Sequence, residues 1–183
     1  RTSVLAASRT AAAYYRPTFA VTSLTPRNGW SWATYTQGVR ALFGALGDQA
    51  YREEGLAWGR ANAWGLSTER NPDNIKAGQV YAGWRQVDPA ADLTAMDARM
   101  AADLTGLPSS QYDWADALFM GLPDWALWAK RSGNPDYLTR MDDVYTWMRD
   151  AGATGARCAG QHPTQAGLYD GSARLWYRDC TYV

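Results

Sequence analysis

Two aspartates, Asp113 and Asp116, stand one helical turn apart at the head of the apolar run DWADALFMGLPDWALWAK, residues 113–130. A third, Asp73, sits near the start of NPDNIKAGQVY, residues 71–81. Two carboxyl groups facing one cleft can do acid–base work at a sugar, with one holding a proton and the other ionised. A plainer account competes at each position, because an aspartate at a helix start accepts free backbone N–H groups and is favoured by the helix dipole. Asp113 as N-cap with Asp116 at the third helical position would be an analogue of the capping box. Asp116 has the better claim to chemistry: beside Trp114, Leu118 and Phe119 on a helix expected to be buried, its carboxyl would lose solvation and keep its proton to higher pH. Other templates are weak. His162 is the only histidine and falls in a loop, against a histidine-rich metal site, and no GxSxG, glycine-rich phosphate loop or CxxC occurs. No metal and no cofactor is expected.

The elements that must position these residues repeat along the chain. Residues 1–15 are Ala-rich and read as a helix. Helices are then expected over 31–46, 48–59, 72–86, 89–104, 113–131 and 134–150, from apolar periodicity and from Gly, Asx and Asx-Pro signals at their ends. The expected caps Asp48, Asp88 and Asn134 recur at 40- and 46-residue intervals, and GDQAY (47–51) and GNPDY (133–137) are copies of one turn. A repeat of that size implies stacked helical hairpins, either a solenoid or a closed double ring. Residues 137–150 carry Tyr137, Leu138, Met141, Val144, Tyr145 and Met148 on one face and charges on the other, the pattern of an outer helix. Residues 114–129 are apolar nearly all round, as expected of an inner helix. The inner set is then 31–46, 72–86 and 113–131, whose N-termini would open onto a central cavity. LYDGSARLWYRD, residues 168–179, reads as a short β-hairpin with Asp170-Gly171 in the turn. No linker or low-complexity tract divides residues 1–183, which read as one domain.

Composition narrows the partners. Eighteen basic and eighteen acidic side chains cancel, against nucleic acid or an anionic membrane as the main partner. Ten Trp and eleven Tyr against three Phe favour rings that can stack on a ligand and still hydrogen-bond, although a Trp-rich core gives the same count. No apolar stretch reaches the roughly 18 residues of a membrane helix, and no leader is visible ahead of Arg1, as expected if one has been removed. Cys158 and Cys180 flank a polar, Gly-rich segment. A disulfide there would stabilise by about 3 kcal/mol and suit a secreted or cell-surface bacterial protein, whereas two buried thiols would suit the cytoplasm.

The run YDWADALFMGLPDWALWAKRSGNPDYLTRMDDVYTWM, followed by LWYRDCTY, resembles the family 105 glycoside hydrolases, the unsaturated rhamnogalacturonyl hydrolases, related to the family 88 unsaturated glucuronyl hydrolases. W-x-D-A-L-F-M, G-N-x-x-Y-L-x-x-M-D and Y-R-D match in order, and DNIKAGQVY resembles the family's acidic D-D-Q-x-x-G-Q-x-Y segment. The likeness covers roughly residues 28–183. It implies an all-α, (α/α)6 double-ring barrel of helical hairpins, and removal of a 4,5-unsaturated uronic acid from the non-reducing end of pectin-derived oligosaccharides. The implied chemistry is hydration of a vinyl ether: an aspartic acid protonates C4, water adds at C5, and the hemiketal opens to release the shortened sugar. By motif position that acid is Asp116, and Asp73 is the second acidic residue. Trp30, Trp32, Tyr35 and Trp114 would line the sugar cleft, and Arg178 would meet a carboxylate.

Two departures qualify the resemblance. One branch of the family has a histidine ahead of the catalytic aspartate, where LTGLPSSQYDWAD has none. The chain also stops before the W-x-R-G-N-G-W segment, so about seven helices and a short hairpin are expected where the family has twelve helices. A truncated ring would need a partner chain or the remaining half to cover its inner faces. Two other readings stay open: release of unsaturated glucuronyl groups from other lyase products, and a non-catalytic sugar-binding or scaffold module.

Overall fold

The computed structural model describes residues 2–21, 27–151 and 167–179. Seven α-helices dominate these residues: α1 Thr2–Phe19, α2 Trp30–Leu46, α3 Gln49–Ala61, α4 Pro72–Arg85, α5 Thr94–Gly106, α6 Ala117–Ser132 and α7 Asp136–Thr146. One hairpin, β1 Tyr169–Asp170 with β2 Leu175–Trp176, is the exception. The chain gathers into two compact units, residues 1–68 with 76–99, and residues 69–75 with 100–183. Among the described residues no helix is long and apolar enough to cross a membrane. Cys158, His162 and Cys180 lie outside the described residues, and with them the expected disulfide and loop histidine.

In the first unit α1 packs on α2 and α2 on α3. The α2–α3 turn is made by Gly47, left-handed at φ 68° and donating its N–H to the Phe43 carbonyl, then by Asp48, whose carboxylate accepts from Ala50 N at 2.9 Å. In the second unit the α6–α7 turn is built the same way. Gly133 at φ 74° closes α6 onto Ala129 O, and Asn134 Oδ1 accepts from Asp136 N at 2.9 Å. The two sequence copies are therefore one structural device, a left-handed glycine to stop a helix and an Asx side chain to start the next. Asp48→Ala should cost about 1 kcal/mol of stability, the usual worth of such a cap; a denaturation midpoint unmoved by the substitution would deny Asp48 that role.

The expected third copy fails. Asp88 does not start a helix at residue 89: it closes a turn, accepting from Ala90 N at 3.1 Å, while Ala91 and Leu93 are buried. The helix begins at Thr94, whose N–H and hydroxyl both bond Asp92 Oδ1, at 2.9 and 2.6 Å. Val87 stands where the other copies have glycine, and a β-branched residue does not take the left-handed step that reverses the chain. Arg85 reinforces the detour by donating to the Ala91 carbonyl.

The tryptophans mostly answer to packing. Trp58, Trp64, Trp84, Trp125 and Trp128 are buried. In the first unit the Tyr81 ring lies 4.7 Å from that of Trp58 and 5.6 Å from that of Trp64, and the Trp84 indole occupies the space a side chain at Gly55 would need. In the second, Trp125 stacks on Tyr137 and donates to Tyr112 Oη at 2.9 Å. α6 is not enclosed all round: its buried residues Ala117, Met120, Gly121, Asp124, Trp125, Trp128 and Ala129 form one helical stripe, and Phe119 is 53% exposed. α7 buries Tyr137 and Val144, and the turn after it buries Met148, while Leu138 and Tyr145 of the expected core face are exposed.

Candidate active site

Asp73 and Asp116 both belong to the second unit, near enough for the Asp116 charge to act on the Asp73 carboxyl. Asp73 lies in the first turn of α4, after a start signal that works as its residue types demand. Asn71 Oδ1 accepts from Asn74 N at 3.0 Å, and Pro72 occupies the first helical position, where a missing N–H costs nothing. Asn74 Nδ2 also donates to Glu69 Oε2 at 3.3 Å and to Asn71 Oδ1 at 3.0 Å, so residues 69–74 form a closed turn. The Asp73 side chain is half-buried.

Asp116 is placed differently from the sequence expectation. α6 starts at Ala117, so Asp116 is the N-cap residue and Asp113 lies ahead of the helix. The cause is backbone pairing. Trp114 forms an antiparallel bridge with Asp179, and Ala115 N donates to the Arg178 carbonyl at 2.6 Å. Residues committed to an extended pair cannot also begin the helix. Asp116 then turns the chain, its carbonyl accepting from Met120 N at 3.0 Å, while its side chain makes no capping hydrogen bond. It is exposed, where burial was expected.

Desolvation therefore falls on the other aspartate. Burial pushes the Asp73 carboxyl above its ordinary value, and the nearby Asp116 charge pushes it further the same way. With a folded-state pKa above the unfolded one, this group's stabilising contribution is present below the unfolded pKa and lost as pH rises through the folded value. Asp73→Asn should accordingly raise the thermal midpoint near neutral pH and flatten its decline from acid to neutral. A lower midpoint at pH 7 in the variant would show that the ionised carboxylate is needed for folding.

The hairpin behind Ala115 explains why Arg178 and Trp114 accompany the pair. Tyr169 pairs with Trp176 and Asp170 with Leu175. The turn has four residues, not two, and Asp170 Oδ1 gathers Ser172 N, Ser172 Oγ and Ala173 N at 2.7 to 3.0 Å. These bonds hold the Asp170 carboxyl down at about 2. Leu168 N donates to Met148 O at 2.8 Å and Tyr177 N to Leu168 O at 2.9 Å, which ties the hairpin to the π-helical turn Trp147–Ala151 that follows α7. Arg178 holds Ala115 through its carbonyl, and its exposed guanidinium lies 3.9 Å from Asp179 Oδ2. Trp114 is half-buried.

The other three expected cleft residues belong to the first unit. Trp30 is 47% exposed and, with Tyr35, lines an apolar groove of about 870 Å³ between α1 and α2. Trp32 meets Phe19 edge-on at 5.4 Å with the Arg27 guanidinium 5.5 Å from its ring. The Tyr35 ring stacks on Phe19 at 4.7 Å. Its hydroxyl donates to Glu54 Oε1 at 2.6 Å, and Glu54 also holds Arg16 at 2.9 Å. Burial, then the bond to Glu54, raises the Tyr35 phenol, so this side chain ties α1, α2 and α3 together. Sequence reading missed Glu54, which resembles any exposed helical glutamate. It also missed Asp103, although a carboxylate between Met100 and Leu107 on one helical face was a visible signal.

The packed helix pairs α2–α3 and α6–α7, each joined by a Gly-Asx turn, and the aspartates at the heads of α4 and α6 define an all-α protein built of helical hairpins. The family profile described as glycosyl hydrolase family 88 matches residues 6–183, and the chain belongs to that family. A search of the curated proteins finds no significant match. Among solved structures the chain is similar to a polysaccharide lyase, with a TM-score of 0.75 and 20% identity over 100% of this chain and 51% of that one. It is also similar to a family 88 glycosyl hydrolase from Bacteroides vulgatus, with a TM-score of 0.67 and 21% identity over 85% of this chain and 45% of that one. Likeness at these identities shows the fold. The chain spans about half the length of both structures.

Proposed function

We propose that the protein containing this chain is a glycoside hydrolase that removes a 4,5-unsaturated uronic acid from the non-reducing end of lyase-generated oligosaccharides. Within that class we propose pectin-derived rhamnogalacturonan fragments as substrate, on the family 105 motifs around Asp116. The observation that carries the reading is the half-buried Asp73 in the first turn of α4, its carboxyl raised by burial and then by the charge of Asp116 at the head of α6. Hydration of the C4–C5 vinyl ether needs a proton delivered to C4 and a water added at C5. A carboxyl raised by burial and by a neighbouring negative charge keeps its proton to higher pH than a free one. Asp116, at the exposed head of α6, is the group that reaches the double bond and donates, with Asp73 beside it as the second carboxyl. The Arg178 guanidinium, on the segment after β2 whose carbonyl holds Ala115, is suited to the uronate carboxylate.

A second assignment is favoured by one observation: burial and the raised pKa fall on Asp73, so the two could exchange roles, Asp73 donating and Asp116 receiving. The pH profiles separate them. The donor's Asn variant loses the alkaline fall in its residual rate, and the other variant keeps it.

The reaction is read by loss of the ultraviolet absorbance of the conjugated double bond. A panel of unsaturated rhamnogalacturonan, ulvan and glycosaminoglycan disaccharides should show fastest decay on the first. Decay confined to the glucuronyl substrates would move the assignment to that specificity. Binding without decay on the whole panel would make the protein a sugar-binding module.

A further inference from the structure

Asp103 lies on the face of α5 that carries the buried Met96 and Met100, and it is fully buried. A carboxylate in that position is tolerated only when paired and hydrogen-bonded. Its partner is Arg70, whose Nε donates to Asp103 Oδ1 at 2.5 Å and whose Nη2 donates to the Ala102 carbonyl at 2.8 Å. The guanidinium lies over Gly106: a Cβ there would stand 2.6 Å from Nη2 and 3.2 Å from Cζ. The Arg70 side chain is itself 40% exposed, so burial does not dictate where it points. Asn71, Pro72 and Asp73 come directly after it in the chain.

We propose that Arg70 is a positioning residue: locked to Asp103 and the Ala102 carbonyl across Gly106, it fixes the turn that presents Asp73 to Asp116 and keeps its own charge on α5. The role rests on reading Asp73 and Asp116 as the reacting pair. A guanidinium three residues from Asp73 and not so held would swing to the nearest carboxylate, and an Arg–carboxylate contact lowers the acid by about 1 to 3 pK units. That would act against the burial and the Asp116 charge that raise Asp73. Glu69, in the same turn, accepts from Asn74. Asp116 acts on Asp73 directly. Asp103 is the group that keeps a cation out of this balance.

The test uses the full chain with Gly106→Ala, Asp103→Asn, and the double variant Arg70→Gln with Asp103→Asn. Three quantities are read: the 13C-carboxyl titration of Asp73, the separate kcat and KM for an unsaturated disaccharide, and the thermal midpoint. Gly106→Ala and Asp103→Asn displace or release the guanidinium, so the Asp73 titration midpoint should fall by about one unit. With it kcat should fall ~10-fold while KM changes less than about twofold, the signature of lost positioning without lost binding. The double variant removes both charges and keeps a hydrogen bond, so its Asp73 midpoint should return to the parent value. An Asp73 midpoint and a kcat both unmoved in folded Gly106→Ala overturn the role, whether or not Asp103→Asn folds. Shifted midpoints in a protein that turns over no unsaturated uronide would instead overturn the proposed function and leave the clamp standing.

Discussion

Asp116→Asn should lower kcat/KM on the preferred unsaturated disaccharide by about 10³-fold, or ~4 kcal/mol of barrier, while leaving the thermal midpoint within about 1 °C of the parent. The two halves of this expectation have different causes. The side chain makes no capping hydrogen bond and is exposed, and asparagine is as good an N-cap as aspartate, so little stability is at stake. What the substitution removes is the transferable proton. A carboxylate with no part in the chemistry would give a different result, with turnover and thermal midpoint both kept. Retention of more than about a tenth of the parental kcat/KM would remove Asp116 from the proton-donating role. The activity must be measured on the full chain, and the comparison with Asp73→Asn is informative because that variant should gain stability near neutral pH as it loses activity.

Gly55→Ala should destabilise the protein by about 3 kcal/mol or more, near the upper end for a single added methyl. The position is helical and well suited to alanine on propensity, so a simple helix scale forecasts a gain of about 0.5 to 1 kcal/mol. The structure reverses the sign, because a Cβ at Gly55 would enter the Trp84 indole, and Trp84 is fully buried with Phe43 stacked nearby. A ring of that size in a packed interior cannot step aside. Gly44→Ala, on α2 with nothing within 4 Å of an added Cβ, is the matched control and should follow the helix scale. Urea denaturation of both settles the matter: a loss below about 1 kcal/mol at Gly55 would mean that Trp84 can repack. Trp84→Phe added to Gly55→Ala should recover part of the loss, since the two positions share one space.

Sequence and structure agree most closely where the cause is local. Gly47-Asp48 and Gly133-Asn134 announced their turns because a left-handed glycine and an Asx cap are decided within a few residues. Asp88 misled for the same reason: its Asx-Pro pair looks like a helix start, and only the missing glycine at Val87 argues otherwise. The start of α6 was misjudged because its determinant is remote. Trp114 and Ala115 read as helical, and they are drawn out of the helix by Arg178 and Asp179. The misplaced burial at Asp116 has that origin too. Asp73 and Asp116 were paired on their places at the heads of two inner helices of the repeat, and the family motifs supplied their roles. Trp32 and Tyr35 show the ambiguity of aromatic composition, for both are engaged with Phe19 in the first unit.

The Ala115–Arg178 hydrogen bond also sets an order of events. The Gly-Asx hairpins need only neighbouring residues and can form as soon as each stretch of chain is available, the fast local route of low contact order. The head of α6 cannot reach its final form until the segment through Asp179 has been synthesised and laid against Trp114. The acid pair therefore matures late, after the helices that carry it. A nascent or C-terminally clipped molecule would present well-formed helices around an unfinished centre, so its helical content would be a poor gauge of its competence.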